Sequence, residues 1–75
     1  MTPTIGRIVH YYACTDEGDA DGPYAGIITA VHQPTERDPQ RCDLVTFGPH
    51  SMYHHCGVPF SETPTPLFWT WPPRV

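Results

Sequence analysis

The sequence predicts one all-β domain, and three features of its 75 residues carry that expectation. Ten prolines and six glycines divide the chain into short pieces, leaving no uninterrupted helical period of the ~12 residues that a helix usually needs. Between these breaks stand runs rich in β-branched and aromatic residues. Both tryptophans fall within Leu67-Phe68-Trp69-Thr70-Trp71, where an extended backbone would turn Leu67, Trp69 and Trp71 to one face.

The first strand is expected over Ile5 to Tyr12. Alternation sets Ile5, Arg7, Val9 and Tyr11 against Gly6, Ile8, His10 and Tyr12, so neither face is wholly apolar, as suits a barrel wall with a functional side. Residues 13–23 carry Asp16, Glu17, Asp19 and Asp21 among glycines and read as an exposed loop. The run Glu17-x-Asp19-x-Asp21-Gly22 resembles the start of a calcium loop, but the twelfth position, where a bidentate Glu belongs, is Ile28. The motif fails. Tyr24 to His32 is the most apolar segment and should be a central strand. Gln33 to Gln40 is a polar, proline-marked loop, and Arg41 to Phe47 is a third strand. Gly48-Pro49-His50-Ser51 signals a turn, after which Met52 to Cys56 returns as a hairpin partner and Gly57-Val58-Pro59 ends it. The chain then runs through a polyproline-like or irregular Pro-rich segment, 59–66, to the tryptophans. Five short strands in a single domain over residues 1–75 suggest a small SH3-like barrel. Trp69 should be buried against the second strand, and Trp71 should lie nearer an edge, interface or ligand.

A chain of this length buries only about 60 to 65% of the surface it exposes when unfolded, so a homo-oligomer is the expected state. No apolar run approaches the ~18 residues of a membrane helix, and Met1-Thr2-Pro3-Thr4 is not a secretory start, which points to a cytoplasmic protein without membrane partners. Cys14, Cys42 and Cys56 have no Cys-x-x-Cys spacing and are expected as free thiols in a reducing compartment. The formal charge is −4, all four cations are arginines (Arg7, Arg37, Arg41 and Arg74), and lysine is absent. Non-specific nucleic-acid binding needs a basic patch that this balance does not supply. Single arginines still suit a discrete phosphate or carboxylate.

Several segments resemble a group of short proteins encoded by actinobacterial phages and prophages. Members open with Gly-Arg-x-Val-His-Tyr, here Gly6-Arg7-Ile8-Val9-His10-Tyr11, and continue with an Ala-x-Ile-Val-Thr-x-Val strand, here Tyr24 to Val31. Leu-x-Val-Phe-x-Pro and Gly-Val-Pro follow, here Leu44 to Pro49 and Gly57-Val58-Pro59. The group's Thr-Trp-His-Trp-Pro ending is matched loosely by Phe68-Trp69-Thr70-Trp71-Pro72. The chain departs from the group at the 48–51 turn, in the aromatic pair after it, and in Leu67-Phe68. The resemblance implies a phage or prophage origin and a compact β fold. It carries no activity with it.

Among residues with chemistry to offer, His50, His54, His55 and Cys56 are the most metal-like cluster, but their spacing matches no zinc motif and surface histidines with an ordinary thiol are the better account. No cysteine has an activating context, no serine sits in a nucleophile elbow, and no glycine-rich loop opens a helix, so neither an enzyme nor a cofactor is expected. Arg7, His10, Tyr11, His32, Tyr53, Trp71 and Arg74 are the candidate ligand-binding residues, because arginine grips phosphate and aromatic faces stack on bases. Packing is the alternative role for the aromatics, and an ion pair to an acidic loop residue such as Asp43 the alternative for Arg7. The functional expectation is a non-enzymatic phage accessory protein, a small oligomeric β-barrel that binds an anionic ligand such as a nucleotide immune signal at a site between subunits. A virion structural or protein-interaction module is the alternative.

Overall fold

A computed structural model describes residues 2–37, 40–48 and 50–73. They form five strands, β1 (Ile8–Cys14), β2 (Ala20–His32), β3 (Arg41–Phe47), β4 (Met52–Pro59) and β5 (Trp69–Thr70), in one antiparallel sheet of order β4-β3-β2-β1-β5. The chain is all-β, as its composition predicts, and no helix among the described residues is long and apolar enough to cross a membrane.

Three register shifts bend the sheet, between Tyr11 and Ala13, between Ile28 and Ala30, and between Cys42 and Leu44. Each bulge adds local right-handed twist, and the ends of the sheet curl toward each other. Tyr11 of β1 stacks on His55 of β4 with ring centroids 4.4 Å apart, although β2 and β3 lie between them in the sheet. Phe60, just beyond β4, meets Trp69 of β5 through one parallel bridge, and the Ser61 N–H donates to the Trp69 carbonyl at 2.9 Å. One bridge is not a ladder. The sheet is therefore a curled wall with a seam rather than a closed barrel.

Its concave face holds the core of Val9, Tyr11, Ile28, Cys42, Leu44, Val58 and Trp69. Alternation puts them there: Cys42, Leu44 and Thr46 point inward along β3 while Arg41, Asp43 and Val45 do not. Trp69 is 2% exposed. Its strand neighbour is Tyr11 of β1 rather than the second strand, whose Ile28 nonetheless belongs to the same core.

Element boundaries differ from expectation where turn-forming residues sit inside the sheet. β1 begins at Ile8, because residues 4–7 close a turn in which the Arg7 N–H donates to the Thr4 carbonyl at 3.2 Å. The expected loop over 13–23 is a tight hairpin end at residues 15–19, closed by the Thr15 N–H to the Asp19 carbonyl at 2.9 Å and the Asp19 N–H to Thr15 Oγ1 at 3.0 Å. Asp21, Gly22 and Pro23 belong to β2, at its bulge. β4 continues to Pro59 because Gly57 takes φ +63° within the bulge opposite β3. At the other end only Trp69 and Thr70 are strand: Leu67 takes φ +68° and stays 56% exposed, so it does not share the tryptophans' face. The Leu67 N–H donating to the Tyr12 carbonyl at 2.8 Å and the Phe68 N–H donating to Thr65 at 3.1 Å turn the chain there.

Candidate functional site

The last residues of the described chain build a cleft where β5 meets the exit of β4. Phe60, Trp69 and Trp71 line it with Gln40, Glu62 and Thr70, around a volume of about 610 Å³, which falls within the usual size of small-ligand pockets. Its aromatic wall is continuous. Phe60 and Trp69 pack tilted at 4.9 Å, Trp69 and Trp71 meet edge to face at 5.0 Å, and the Arg7 guanidinium lies over the Trp71 ring, 5.5 Å from its centroid.

Each member is placed by the fold. Trp69 is held inward by pairing with Tyr11, which leaves Trp71, two residues on, at the margin of the core and half-buried. Arg7 reaches Trp71 from the turn that precedes β1, where its carbonyl accepts the Ile28 N–H at 3.0 Å. Glu62 is carried by a short network in which Ser61 Oγ and Thr65 Oγ1 lie 2.9 Å apart and the Thr65 hydroxyl donates to the Thr63 carbonyl at 3.0 Å. Beneath the cleft the Trp69 Nε1–H is buried and has no acceptor among the described residues. An unmet buried donor is uncommon.

Of the predicted ligand-binding residues, the structure joins Arg7 and Trp71. His10 stands opposite Thr70, a residue of the cleft wall. Tyr11 is core: its ring is covered by His55, and burial together with the neighbouring Cys14 pushes its hydroxyl pKa up. His32 is engaged elsewhere, with Nε2 2.8 Å from Asp43 Oδ1. Tyr53 is exposed on β4, seven positions before Phe60. Arg74 lies outside the described residues. Asp43 does not serve Arg7. It accepts the Gly57 N–H at 2.9 Å and faces His32, and these two contacts, the backbone one first, hold its carboxyl below the usual value.

A second hollow, about 630 Å³, follows the seam between β4 and Leu67-Phe68, with Tyr11, His55 and Cys56 in its walls. His55 Nε2 lies 2.9 Å from Thr46 Oγ1, and burial, reinforced by the nearby His54, lowers its pKa. Among the described residues no three His, Cys, Asp or Glu side chains gather around a point that a metal ion would fill. Cys14 and Cys56 are exposed free thiols and Cys42 is a buried one.

Sequence reading missed Phe60, Gln40 and Glu62. They sit in proline-marked stretches without periodicity, and only the curl of the sheet brings them to the tryptophans. Comparison with protein-family models, with curated proteins and with solved structures returns no match.

Proposed function

We propose that this chain is a non-enzymatic accessory protein that sequesters a small anionic ligand, a nucleotide-type signal of a bacterial host, in the Phe60-Trp69-Trp71 cleft. The observation that carries the reading is the guanidinium of Arg7 laid on Trp71, the ring that continues the aromatic wall of the cleft. A planar base stacks on one accessible ring of such a wall, the exposed Phe60 or the half-buried Trp71, at about 1 to 3 kcal/mol per base in known binders. Arg7 lies over Trp71 rather than in the cleft's lining, and its charge makes the neighbourhood of that ring favourable to a single anionic group. Glu62 on the same wall disfavours ligands with several phosphates and favours one that presents hydrogen-bond donors to the carboxylate. The phage-type motifs support an action inside an infected or lysogenic host.

The test is to incubate the protein with a panel of mono- and cyclic nucleotides, remove free ligand, denature by heat and identify what is released by mass spectrometry. The reading requires an intact nucleotide from the native chain and much less from Trp71→Ala. No retained nucleotide across the panel would contradict it.

The alternative, a virion structural or protein-interaction module, draws on Glu62 and on the exposed Phe60 ring in the cleft. Aromatic clefts also receive proline-rich segments, which bring carbonyl acceptors and no competing donors at proline. Stoichiometric recovery of the chain in purified virions supports that alternative, and its absence there counts against it.

A further inference from the structure

Among the described residues β4 is an edge strand, guarded only over its second half. Among the described residues it pairs with β3 alone, and its sequence, Met52-Tyr53-His54-His55-Cys56-Gly57-Val58-Pro59, contains no Asp, Glu, Lys or Arg. Edge strands in soluble proteins are usually blunted by charge, proline or a bulge. Here the bulge at Cys56-Gly57 and the terminal Pro59 protect the second half. Residues 52–55 carry neither device, although His54 and His55 also line the hollow beside Leu67-Phe68.

The outer face beside residues 52–54 is uncharged as well, and the charged Asp43 and Arg41 lie farther along β3 on that face. Opposite residues in an antiparallel sheet share a face, so the register defines two rows that run across four strands, Ile8-Ile27-Val45-His54 and His10-Ala25-Phe47-Met52. Six of these eight residues are apolar and two are histidines. Ile8 is 65% and Met52 64% exposed.

We infer that the open edge of β4, with Met52, Phe47 and Val45 beside it, joins two copies of this chain. Charge selects the occupant. The chain carries a formal charge of −4, and its described carboxylates lie off both rows, so two copies repel at most approaches and meet without like charges here. A two-fold axis sets the same uncharged edge against itself and closes the assembly at two. Because paired residues must share a face, each Met52 then opposes the other copy's Met52 or His54.

Sedimentation equilibrium of the full chain across a concentration series tests this. A reversible dimer is expected. Met52→Lys with His54→Lys places like charges across the axis and should raise the dissociation constant by about tenfold or more, with far-UV circular dichroism unchanged. Ile5→Lys, exposed but off both rows, should dimerise as the native chain does. A native chain that stays monomeric, which would leave the edge to a strand from another protein, overturns the inference. So does a dimer that survives the double substitution, one that Ile5→Lys disrupts equally, or an open-ended oligomer. Trp71→Ala should leave dimerisation intact, so the outcome separates from that of the cleft.

Discussion

Trp69 and Trp71 stand two positions apart and touch edge to face at 5.0 Å, yet they contribute to different properties of the chain. Trp69 is enclosed by the core, and Trp69→Ala should cost about 3 to 5 kcal/mol, a large part of the stability of a domain this small. Urea denaturation should show it largely unfolded. Trp71 is half-buried and serves as the platform for Arg7. Trp71→Ala should remain folded, lose about 1 to 2 kcal/mol and, under the proposed function, retain much less nucleotide. His55 gives the molecule an acid response. Its folded pKa is lowered, first by burial and then by His54, so the unfolded chain binds the proton first. The stability of the neutral form is present above about pH 6.5 and is lost as the pH falls from there toward the folded value. Asp43, held low by the Gly57 N–H and then by His32, adds a second loss that begins below about pH 3.9. Melting temperature against pH should show both steps. His55→Phe, which keeps an aromatic on Tyr11, should abolish the first.

The elements show what could be read from the chain and what could not. β3 was legible to both ends, Arg41 and Phe47, because its period of two is uninterrupted and Cys42, Leu44 and Thr46 fill the core side. The start of β2 was not, because Asp21-Gly22-Pro23 carries a turn signature that the bulge opposite Tyr11 and Ala13 absorbs into the strand. Gly22 makes that possible: at φ +155°, a Cβ would come 2.9 Å from the Tyr11 carbonyl oxygen. Gly18, in the hairpin end, has positive φ but nothing within 4 Å of where a Cβ would stand. Gly22→Ala should therefore cost about 1 to 3 kcal/mol, clearly more than Gly18→Ala. Chemical denaturation of the two variants checks the order, and equal losses would mean that strain in φ alone accounts for both.

At the scale of the molecule, five short strands followed from composition and spacing, whereas the curl that turns them into a site did not. It arises from three bulges and from the bridge between Phe60 and Trp69, contacts between residues that no local period relates. For the same reason only part of the site could be anticipated. Arg7 and Trp71 stand out by residue type and meet in the fold, while Tyr11 and His32 are of equally suitable type and are drawn into the core and to Asp43. Phe60 and Glu62 carry no local signal, yet they complete the cleft.

The two tryptophans make the cleft directly observable. Their two indole N–H signals in a ¹⁵N-edited spectrum, assigned with Trp71→Phe, can be followed while nucleotides from the panel are added. Binding in the cleft predicts that a retained nucleotide shifts the Trp71 indole signal most, with a smaller change at Trp69, and that Arg7→Ala weakens the response. If a nucleotide binds while both indole signals stay in place, or if none binds at all, the cleft is not the site.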